Sequence, residues 1–304
     1  MLAVTRSVPT PEAVGTLAAE SYRVSVAGCT LLRSLVNDAY LVVTDAGRMV
    51  LKLYAADHRT PTEVAWEARL ADHLAAAGVP VPRPVRTAGG DRVGTVALPE
   101  GVRAFVAYRH VDGVAPAADA RLYRRFGELV ARWHEAADRF AGPARYDRRT
   151  GTVTDLLAAL ADRPADRDLV ADLAAAARDA TRRYAPRLDH GICHGDVTLD
   201  NLLSGPDGLW IHDLDLAAYR PRACDLTGVA ATPYWPDFAA GYRRVRPLRE
   251  PDLAVLPWCQ VTAQLDVLHF HLVAKPRLRG TDSIRDGWVD RGLDHLRRLA
   301  HEPR

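Results

Sequence analysis

One stretch of this sequence, residues 191–225, constrains the fold and the chemistry of the chain more than any other. It carries three polar side chains at fixed spacing: Asn201 lies five residues after Asp196, and Asp213 lies twelve residues after Asn201. Between Asn201 and Asp213, two short apolar runs flank the turn formers of residues 204–208, which predicts a β-hairpin. Because the ends of a hairpin meet, we expect Asn201 and Asp213 to be neighbours, with Asp196 in the loop before the first strand.

These three groups are the set that phosphoryl transfer from a nucleotide requires. One carboxylate orients and deprotonates the acceptor hydroxyl, while an amide and a second carboxylate hold Mg²⁺ on the phosphates. The pattern H-G-D-x-x-x-x-N followed by I-x-D-x-D closely resembles the catalytic core of the aminoglycoside phosphotransferase and choline kinase family. In that family it replaces the H-R-D-x-x-x-x-N and D-F-G motifs of protein kinases. The alternative is a polar loop that happens to lie beside a hairpin.

The resemblance implies a role for each polar residue of the stretch. Asp196 would be the catalytic base, and Asn201 and Asp213 would be the ligands of Mg²⁺. His194 would be a packing residue that braces the loop. His212 departs from the family pattern, which usually has an aliphatic residue directly before the metal-binding aspartate, so the packing behind the metal site is expected to differ.

Two further acids of the stretch match positions of the family. Asp215 has two interpretations, because an acid at this position either assists the metal or the acceptor, or only bonds to backbone. Asp225 is expected to tie down the catalytic loop rather than to take part in the chemistry.

An apolar run upstream, Met49 to Tyr54, contains a lysine, Lys52, in its interior. The run is predicted to be the last of three antiparallel strands, which start near Tyr22 and have breaks at Gly28 and Asn37. Side chains alternate between the two faces of a strand, so Lys52 points away from its apolar neighbours and needs an anionic partner.

Glu67 is the predicted partner of this lysine. It lies in a helix predicted over residues 61–78, which Thr62 caps and Gly78 ends. A strand lysine followed by a helix glutamate resembles the ion pair with which kinase folds hold the α- and β-phosphates of the nucleotide. Glu63 on the same helix is the competing glutamate.

Two segments are candidates for direct contact with the nucleotide. The hairpin turn at residues 32–37 has no G-x-G-x-x-G, as is common in the family, and Ser34 with nearby backbone amides is expected to touch the nucleotide. Residues 106–110 resemble the connection whose backbone binds adenine in this fold, so Val106 and Tyr108 are candidate cofactor-binding residues. The alternative for the second segment is a plain edge strand and turn.

The remaining pattern predicts the extent of the sheet and of the helical part. Strands at residues 95–98 and 104–109 would complete a five-stranded sheet, after a proline-stiffened segment at residues 79–85. Helical periodicity follows at residues 115–140, 152–186 (two helices), 236–246, 251–275 and 283–301. His134, in the first of these helices, is expected to be a satisfied core histidine.

The helix predicted at residues 251–275 carries Gln260 and Gln264, which share one face because they are four residues apart. In the resembled family the C-terminal helices build the acceptor pocket. The two amides therefore either line a pocket for a polyhydroxylated or amine-bearing substrate, or are ordinary residues of a helix surface.

Composition narrows the class of protein. The chain has 304 residues, 48% of them hydrophobic, which suffices for a large core in two domains or in one two-lobed domain. A formal net charge of +2 provides no field that would attract nucleic acid or an anionic membrane. Four cysteines without C-x-x-C spacing indicate neither a zinc site nor a disulfide framework. No apolar run approaches the roughly 20 residues of a membrane span and no signal peptide is evident, so we expect a cytoplasmic protein.

The family resemblance implies an α+β, bilobal, protein-kinase-like fold, and the predicted strands and helices agree with it. Residues 1–110 would form a nucleotide-binding lobe with a small antiparallel sheet, and residues 111–304 a mostly helical catalytic and substrate-binding lobe. The predicted activity is that of an ATP-dependent, or GTP-dependent, O-phosphotransferase that uses Mg²⁺ and acts on a hydroxyl of a small molecule. Acceptors in the family include antibiotics, choline, homoserine and methylthioribose, and the GC-rich residue bias favours a self-resistance or biosynthetic kinase. The sequence leaves the acceptor and the oligomeric state open.

Two other classes are alternatives. A protein kinase would need an activation segment, but only eleven residues separate Asp213 from Asp225. A nucleotide-binding pseudokinase would normally lack one of four central residues, and all four are present: Lys52, Asp196, Asn201 and Asp213. The sequence therefore favours an active small-molecule kinase.

Overall fold

The computed structural model describes residues 3–56, 58–146 and 152–301. The chain divides into two compact units. Unit 1 comprises Met1–Ala117, Arg139–Pro143 and Leu199–Asp215, and unit 2 comprises Ala118–Asp138, Ala144–Thr198 and Leu216–Arg304. Unit 1 is larger than the predicted lobe of residues 1–110, because two later segments of the chain fold back into it. A functional boundary at residue 110 stays a prediction.

Unit 1 is built on an antiparallel sheet. Its six strands are β1 Val26–Ser34, β2 Asp38–Thr44, β3 Gly47–Leu53, β4 Pro84–Val85, β5 Gly94–Leu98 and β6 Gly101–Arg109. Their order is β1-β2-β3-β6-β4, and β5 pairs with β6. The prediction of five strands missed β4, a two-residue strand whose proline cannot donate to the ladder and so leaves little sequence signal. Gly28 does not break β1 as predicted, but lies inside it beside an irregularity in register.

The two faces of this sheet are covered by different helices. Helix α1, Pro11–Tyr22, shares a buried cluster with Leu51 of β3, whereas helix α2, Pro61–Ala76, shares one with Val106 of β6. Lys52 is paired in register with Val106, so it lies on the α2 face while Leu51 faces α1. The alternation along β3 thus directs the lysine towards the helix that carries the predicted glutamate, as the sequence indicates.

The first turn of α2 differs from the prediction. Thr60, not Thr62, is the N-cap: its hydroxyl accepts a hydrogen bond from the Glu63 backbone at 3.3 Å, and the Glu63 carboxylate accepts one from the Thr60 backbone at 2.9 Å. This reciprocal capping box occupies Glu63. Glu67 is therefore the glutamate of α2 that is available to Lys52.

Unit 1 also contains the predicted hairpin, formed by β8, Leu202–Gly205, and β9, Gly208–Ile211. At its open end the backbone amide of His212 donates to the carbonyl of Asn201 at 3.0 Å. The hairpin therefore brings the chain before Asp213 back to Asn201, which confirms the predicted local arrangement.

Unit 2 is mostly helical. Its helices are α3 Ala120–Ala137, α4 Thr152–Ala159, α5 Pro164–Tyr184, α6 Thr227–Ala230, α7 Trp235–Arg243, α8 Glu250–His269, α9 Lys275–Arg279, α10 Asp282–Arg285 and α11 Trp288–His301. Two strands, β7 His190–Cys193 and β10 Ala218–Pro221, pair in antiparallel fashion. The helix predicted at residues 283–301 is interrupted at Gly287, which has a φ of 75° and ends α10 before α11 begins.

The main core of unit 2 lies among α4, α5, α8 and α11. Leu156, Val170, Val261 and Leu293 are fully buried there, each from a different one of these helices. Within the ranges that the structure describes, no helix combines the length and the hydropathy that a membrane span requires.

Candidate active site

The site in unit 1 is centred on Lys52. Its Nζ atom lies 2.7 Å from Oδ1 of Asp213 and 3.5 Å from Oε1 of Glu67. The lysine side chain is 13% exposed and that of Glu67 is 2% exposed. The structure therefore brings together three of the residues that the sequence singled out, from a strand, a helix and the end of a hairpin.

Charge is unevenly distributed around this lysine. Burial alone would lower the pKa of Lys52, but the carboxylates of Asp213, Glu67 and Asp215 raise the pKa well above its usual value. Lys52 in turn holds the pKa of Asp213 below its usual value. Burial raises the pKa of Glu67, although the charge of Lys52 opposes this. Asp213 and Glu67 share this one ammonium group, which leaves a local excess of negative charge that suits a divalent cation.

Two tyrosines bond to Glu67. The Tyr54 hydroxyl donates to Oε1 at 2.7 Å and the Tyr108 hydroxyl donates to the same oxygen at 3.3 Å. Oε2 of Glu67 is buried and has no hydrogen-bond partner among the described residues. The ring of Tyr54 also lies 4.7 Å from Nζ of Lys52. Tyr54 was not predicted as a site residue, although its position two residues after Lys52 was a signal that both side chains share one face.

The two predicted metal ligands frame the hairpin. Asn201 is 3% exposed and ends a 3-10 turn directly before β8. Asp213 follows β9 and has a φ of 66°, a left-handed conformation that is uncommon outside glycine and that often marks a functional site. The amide and the carboxylate carry the oxygen donors that Mg²⁺ prefers. The residues present thus fit a magnesium site, and their role as its ligands stays a prediction.

Ser34 and Val106 were predicted to contact the nucleotide. The Ser34 hydroxyl donates to Oδ1 of Asp38 at 2.5 Å, and Oδ2 of Asp38 accepts from the buried Arg103 at 2.7 Å. The side chain of Val106 is fully buried. Contact of either residue with a nucleotide stays a prediction, and for Val106 the fully buried side chain restricts it to backbone groups. Tyr108 is the third residue predicted to contact the nucleotide, and its hydroxyl donates a hydrogen bond to Glu67.

Asp196 lies in unit 2, in the loop that follows β7. The backbone amides of His194 and Gly195 both donate to the Asp225 carboxylate, each at 2.7 Å. Gly195 has a φ of 89°, and a Cβ atom at this position would lie 2.3 Å from the Leu216 carbonyl oxygen. The loop is therefore fixed by hydrogen bonds and by close packing, which confirms that Asp225 ties it down.

Two histidines support this loop. The ring of His194 accepts a hydrogen bond from the Asp196 backbone at 3.3 Å, as expected of a bracing residue. His134 is fully buried, with Nε2 2.9 Å from Asp225 and Nδ1 2.7 Å from the Tyr242 hydroxyl. This confirms the prediction that His134 is a core histidine whose ring nitrogens are both hydrogen-bonded.

The ionisation of this buried cluster follows from its surroundings. Burial lowers the pKa of His134, so the ring is neutral near pH 7, donates to Asp225 through Nε2 and accepts from Tyr242. Burial would raise the pKa of Asp225, but hydrogen bonds from His134 and the loop amides lower the pKa to about 2. An ionised Asp225 therefore accepts hydrogen bonds from both sides.

The structure also bears on the residues with two interpretations. Asp215 bonds to the side chains of Asn37, His58 and Arg59, so the prediction that it might bond only to backbone was wrong. Gln260 and Gln264 donate to the backbone carbonyls of Thr227 and Gly292, at 3.5 Å and 3.4 Å. These bonds favour a structural role for the two amides over a substrate pocket.

A strand lysine bonded to a helix glutamate and to an aspartate behind a hairpin is the arrangement of protein-kinase-like phosphotransferases. The antiparallel sheet of unit 1 and the helices of unit 2 give the chain the predicted bilobal protein-kinase-like fold. Residues 29–254 match the model of the phosphotransferase enzyme family, and the chain belongs to that family. It is an enzyme of the class that transfers phosphoryl groups to hydroxyls of small molecules.

Three known proteins show the likeness. A homoserine kinase of Beijerinckia indica subsp. indica is 30% identical over 261 residues, covering 78% of this chain and 76% of that protein. The structure of an amicoumacin kinase in complex with AMP-PNP, Ca²⁺ and Ami has a TM-score of 0.77 at 17% identity, covering 95% of this chain and 93% of that chain. The structure of a microcompartment-associated aminopropanol kinase has a TM-score of 0.68 at 22% identity, covering 95% of each chain. At these identities the two structures establish the fold alone.

Proposed function

We propose that this protein transfers the γ-phosphoryl group of ATP to the hydroxyl of a small amino alcohol. The observation that carries the proposal is the position of Lys52 between Glu67 and Asp213, at 3.5 Å and 2.7 Å. Homoserine and aminopropanol, for which two of the similar proteins are named, each bear an amine and a hydroxyl. GTP is the alternative nucleotide, and a hydroxylated antibiotic is the alternative acceptor, because an amicoumacin kinase shares the fold.

In this proposal each residue of unit 1 has one task. Lys52 neutralises the α- and β-phosphates, and Glu67 holds its ammonium group in place. Asn201 and Asp213 would hold Mg²⁺, which neutralises charge on the phosphates when bound. Since Asp213 already bonds to Lys52, an incoming nucleotide competes with this carboxylate for the lysine.

Asp196 of unit 2 is the proposed catalytic base. It orients the acceptor hydroxyl and takes its proton as the oxygen attacks the γ-phosphorus. The amides of His194 and Gly195, bound to Asp225, fix the backbone directly before it. Because the loop is already rigid, no further entropy is lost in positioning the Asp196 carboxylate during the reaction, and general-base catalysis is more effective for that reason.

An acceptor screen tests the proposal. The purified protein is incubated with Mg²⁺ and either ATP or GTP, together with homoserine, aminopropanol, choline or an aminoglycoside. Nucleotide consumption is followed and the product is identified by mass spectrometry. We expect acceptor-dependent consumption and a phosphate ester of one amino alcohol, both lost in Asp196→Asn. Consumption that is the same with and without every acceptor, in a protein that binds the nucleotide, would contradict the proposal.

A further inference from the structure

Asp215 is surrounded by donors from distant parts of unit 1. Its Oδ2 atom accepts from Asn37 Nδ2 at 2.9 Å and from His58 Nε2 at 2.8 Å. Oδ1 accepts from Arg59 Nε at 3.1 Å, and the Asp215 carbonyl accepts from Nη2 of the same arginine at 2.9 Å. The Asp215 side chain is only 11% exposed. Both carboxylate oxygens are thus engaged by protein side chains.

These donors belong to two separate segments. Asn37 lies in the turn between β1 and β2, and its Oδ1 also accepts from the backbone amide of Ala55 at 3.1 Å. His58 and Arg59 lie in the connection from β3 to α2, directly before the Thr60 cap. One carboxylate therefore joins the turn predicted to touch the nucleotide, the connection into the Glu67 helix and the chain segment of Asp213.

The surroundings of Asp215 disfavour direct binding of a metal. Three side-chain donors already occupy most of the roughly four lone-pair sites of this carboxylate, which leaves little room for a cation at either oxygen. The carboxylate is already paired with the Arg59 guanidinium in a charge-assisted hydrogen bond, and it also accepts the shorter bonds from His58 and Asn37.

We infer that Asp215 is a positioning residue that clamps the β1–β2 turn and the β3–α2 connection onto the segment of Asp213, and that it does not bind the metal. The inference rests on the proposed function for its effect on catalysis. The turn at residues 32–37 lacks the glycine pattern with which other kinases wrap phosphates. A side-chain clamp from Asn37 to Asp215 replaces that device by holding the turn in one conformation.

Kinetics with graded magnesium separate the two roles of Asp215. In Asp215→Asn, Asn37→Ala and Arg59→Ala we expect the nucleotide KM to rise by about 10- to 100-fold, the usual effect of losing a charge-assisted hydrogen bond. The magnesium concentration at half-maximal rate should stay unchanged. Arg59→Lys, which keeps the charge but not the paired geometry, should be intermediate. Asp207→Asn is the matched control: Asp207 is exposed in the turn between β8 and β9, and this variant should resemble the wild type.

Hydrogen exchange of the nucleotide-free protein supplies a readout that does not depend on turnover. The amides of residues 34–37 and 58–60 should exchange faster in Asp215→Asn and Asn37→Ala than in Asp207→Asn. The double variant should exchange no faster than either single variant, because each removes the same clamp. If Asp215→Asn does not fold, Asn37→Ala and Arg59→Lys carry the test.

Two results would overturn the inference. A magnesium requirement that rises several-fold in Asp215→Asn, but not in Asn37→Ala or Arg59→Ala, would make Asp215 a metal ligand. Unchanged hydrogen exchange and an unchanged nucleotide KM in all three variants would show that Asp215 does not act as a clamp. A wild-type protein that neither binds nor consumes nucleotide would instead refute the proposed function, while the exchange experiment would still decide whether the clamp exists.

Discussion

Lys52 and Asp213 are 161 residues apart in the sequence and 2.7 Å apart in the structure. The contact joins the middle strand of the sheet to the end of a hairpin made much later in the chain. Glu67 approaches the same ammonium group at 3.5 Å from a helix. Because the closer bond goes to the proposed metal ligand, we expect the nucleotide and the metal to act on this one pair of residues.

Removal of the lysine should weaken nucleotide use. In Lys52→Ala the phosphates lose a cation, and we expect kcat/KM for the nucleotide to fall by about 10- to 100-fold, the range for a lost charge-assisted hydrogen bond. Glu67→Ala should lower it as well, since the lysine then stays on Asp213. Glu63→Ala is the control, because Glu63 bonds to the Thr60 cap. A crippled Glu63→Ala beside a normal Glu67→Ala would show that the wrong glutamate was chosen.

The metal site predicts a change in magnesium dependence. Asp213→Asn keeps a residue type that tolerates the left-handed φ of 66° but removes the charge. We expect this variant and Asn201→Ala to need more magnesium for half-maximal activity and to turn over far more slowly. Magnesium titrations of steady-state activity measure both effects. The assignment fails if neither variant alters the magnesium requirement while both keep their thermal unfolding midpoint.

Asp196→Asn should separate binding from chemistry. The substitution preserves size but removes the base, and general-base catalysis typically contributes about 10²- to 10⁴-fold in rate. Nucleotide affinity should be close to that of the wild type, because the proposed nucleotide contacts lie in unit 1. Calorimetric binding and turnover, measured on one sample, give both values. Turnover within a few-fold of the wild type would exclude Asp196 as the base.

His134 makes stability depend on pH. Its folded pKa lies below the value of about 6.5 expected for an unfolded histidine, so below that pH the unfolded state binds the extra proton. Stability is thus lost as the pH falls through 6.5, by up to about 1.4 kcal/mol per pH unit for one group. His134→Gln, which keeps a donor for Asp225, lacks this titration.

Urea unfolding of the two proteins between pH 8 and pH 5 tests this sign. The stability advantage of the wild type over His134→Gln should shrink as the pH falls. An advantage that grows towards low pH would mean that burial does not dominate and that the histidine is charged in the folded protein.

Local patterns in the sequence predicted much of unit 1. The alternation around Lys52, the turn formers of the hairpin and the helical spacing around Glu67 each act over a few residues, so periodicity alone revealed them. The correct cap of α2 could also have been predicted. A proline favours the first helical position, so Pro61 marks Thr60, and not Thr62, as the cap.

The partners of Asp215 could not be predicted in the same way. Asn37 is 178 residues from Asp215 in the sequence, and Arg59 is 156 residues away. No local period connects such residues, and the family resemblance placed the turn at residues 32–37 near the nucleotide without giving a partner for Asn37. Tyr54 was missed because a tyrosine at a strand end is also an ordinary core residue, and only its hydroxyl bond to Glu67 distinguishes it.

The late segment of unit 1 has a consequence for synthesis of the chain. Residues 199–215 belong to the same compact unit as the first 117 residues. About 80 residues, at positions 118–198 and mostly part of unit 2, are therefore translated in between. At about 5 to 20 residues per second, the ribosome spends several seconds on that interval. During this time the nascent sheet has Glu67 for Lys52 but lacks Asp213, and it lacks Asp215 for Arg59, so each of two largely buried cations is missing an acid that it bonds to in the folded protein. A truncated protein that ends at residue 117 would keep the Lys52–Glu67 pair but would lack Asp213 for Lys52 and Asp215 for Arg59, whereas one that extends through Asp215 could form both bonds.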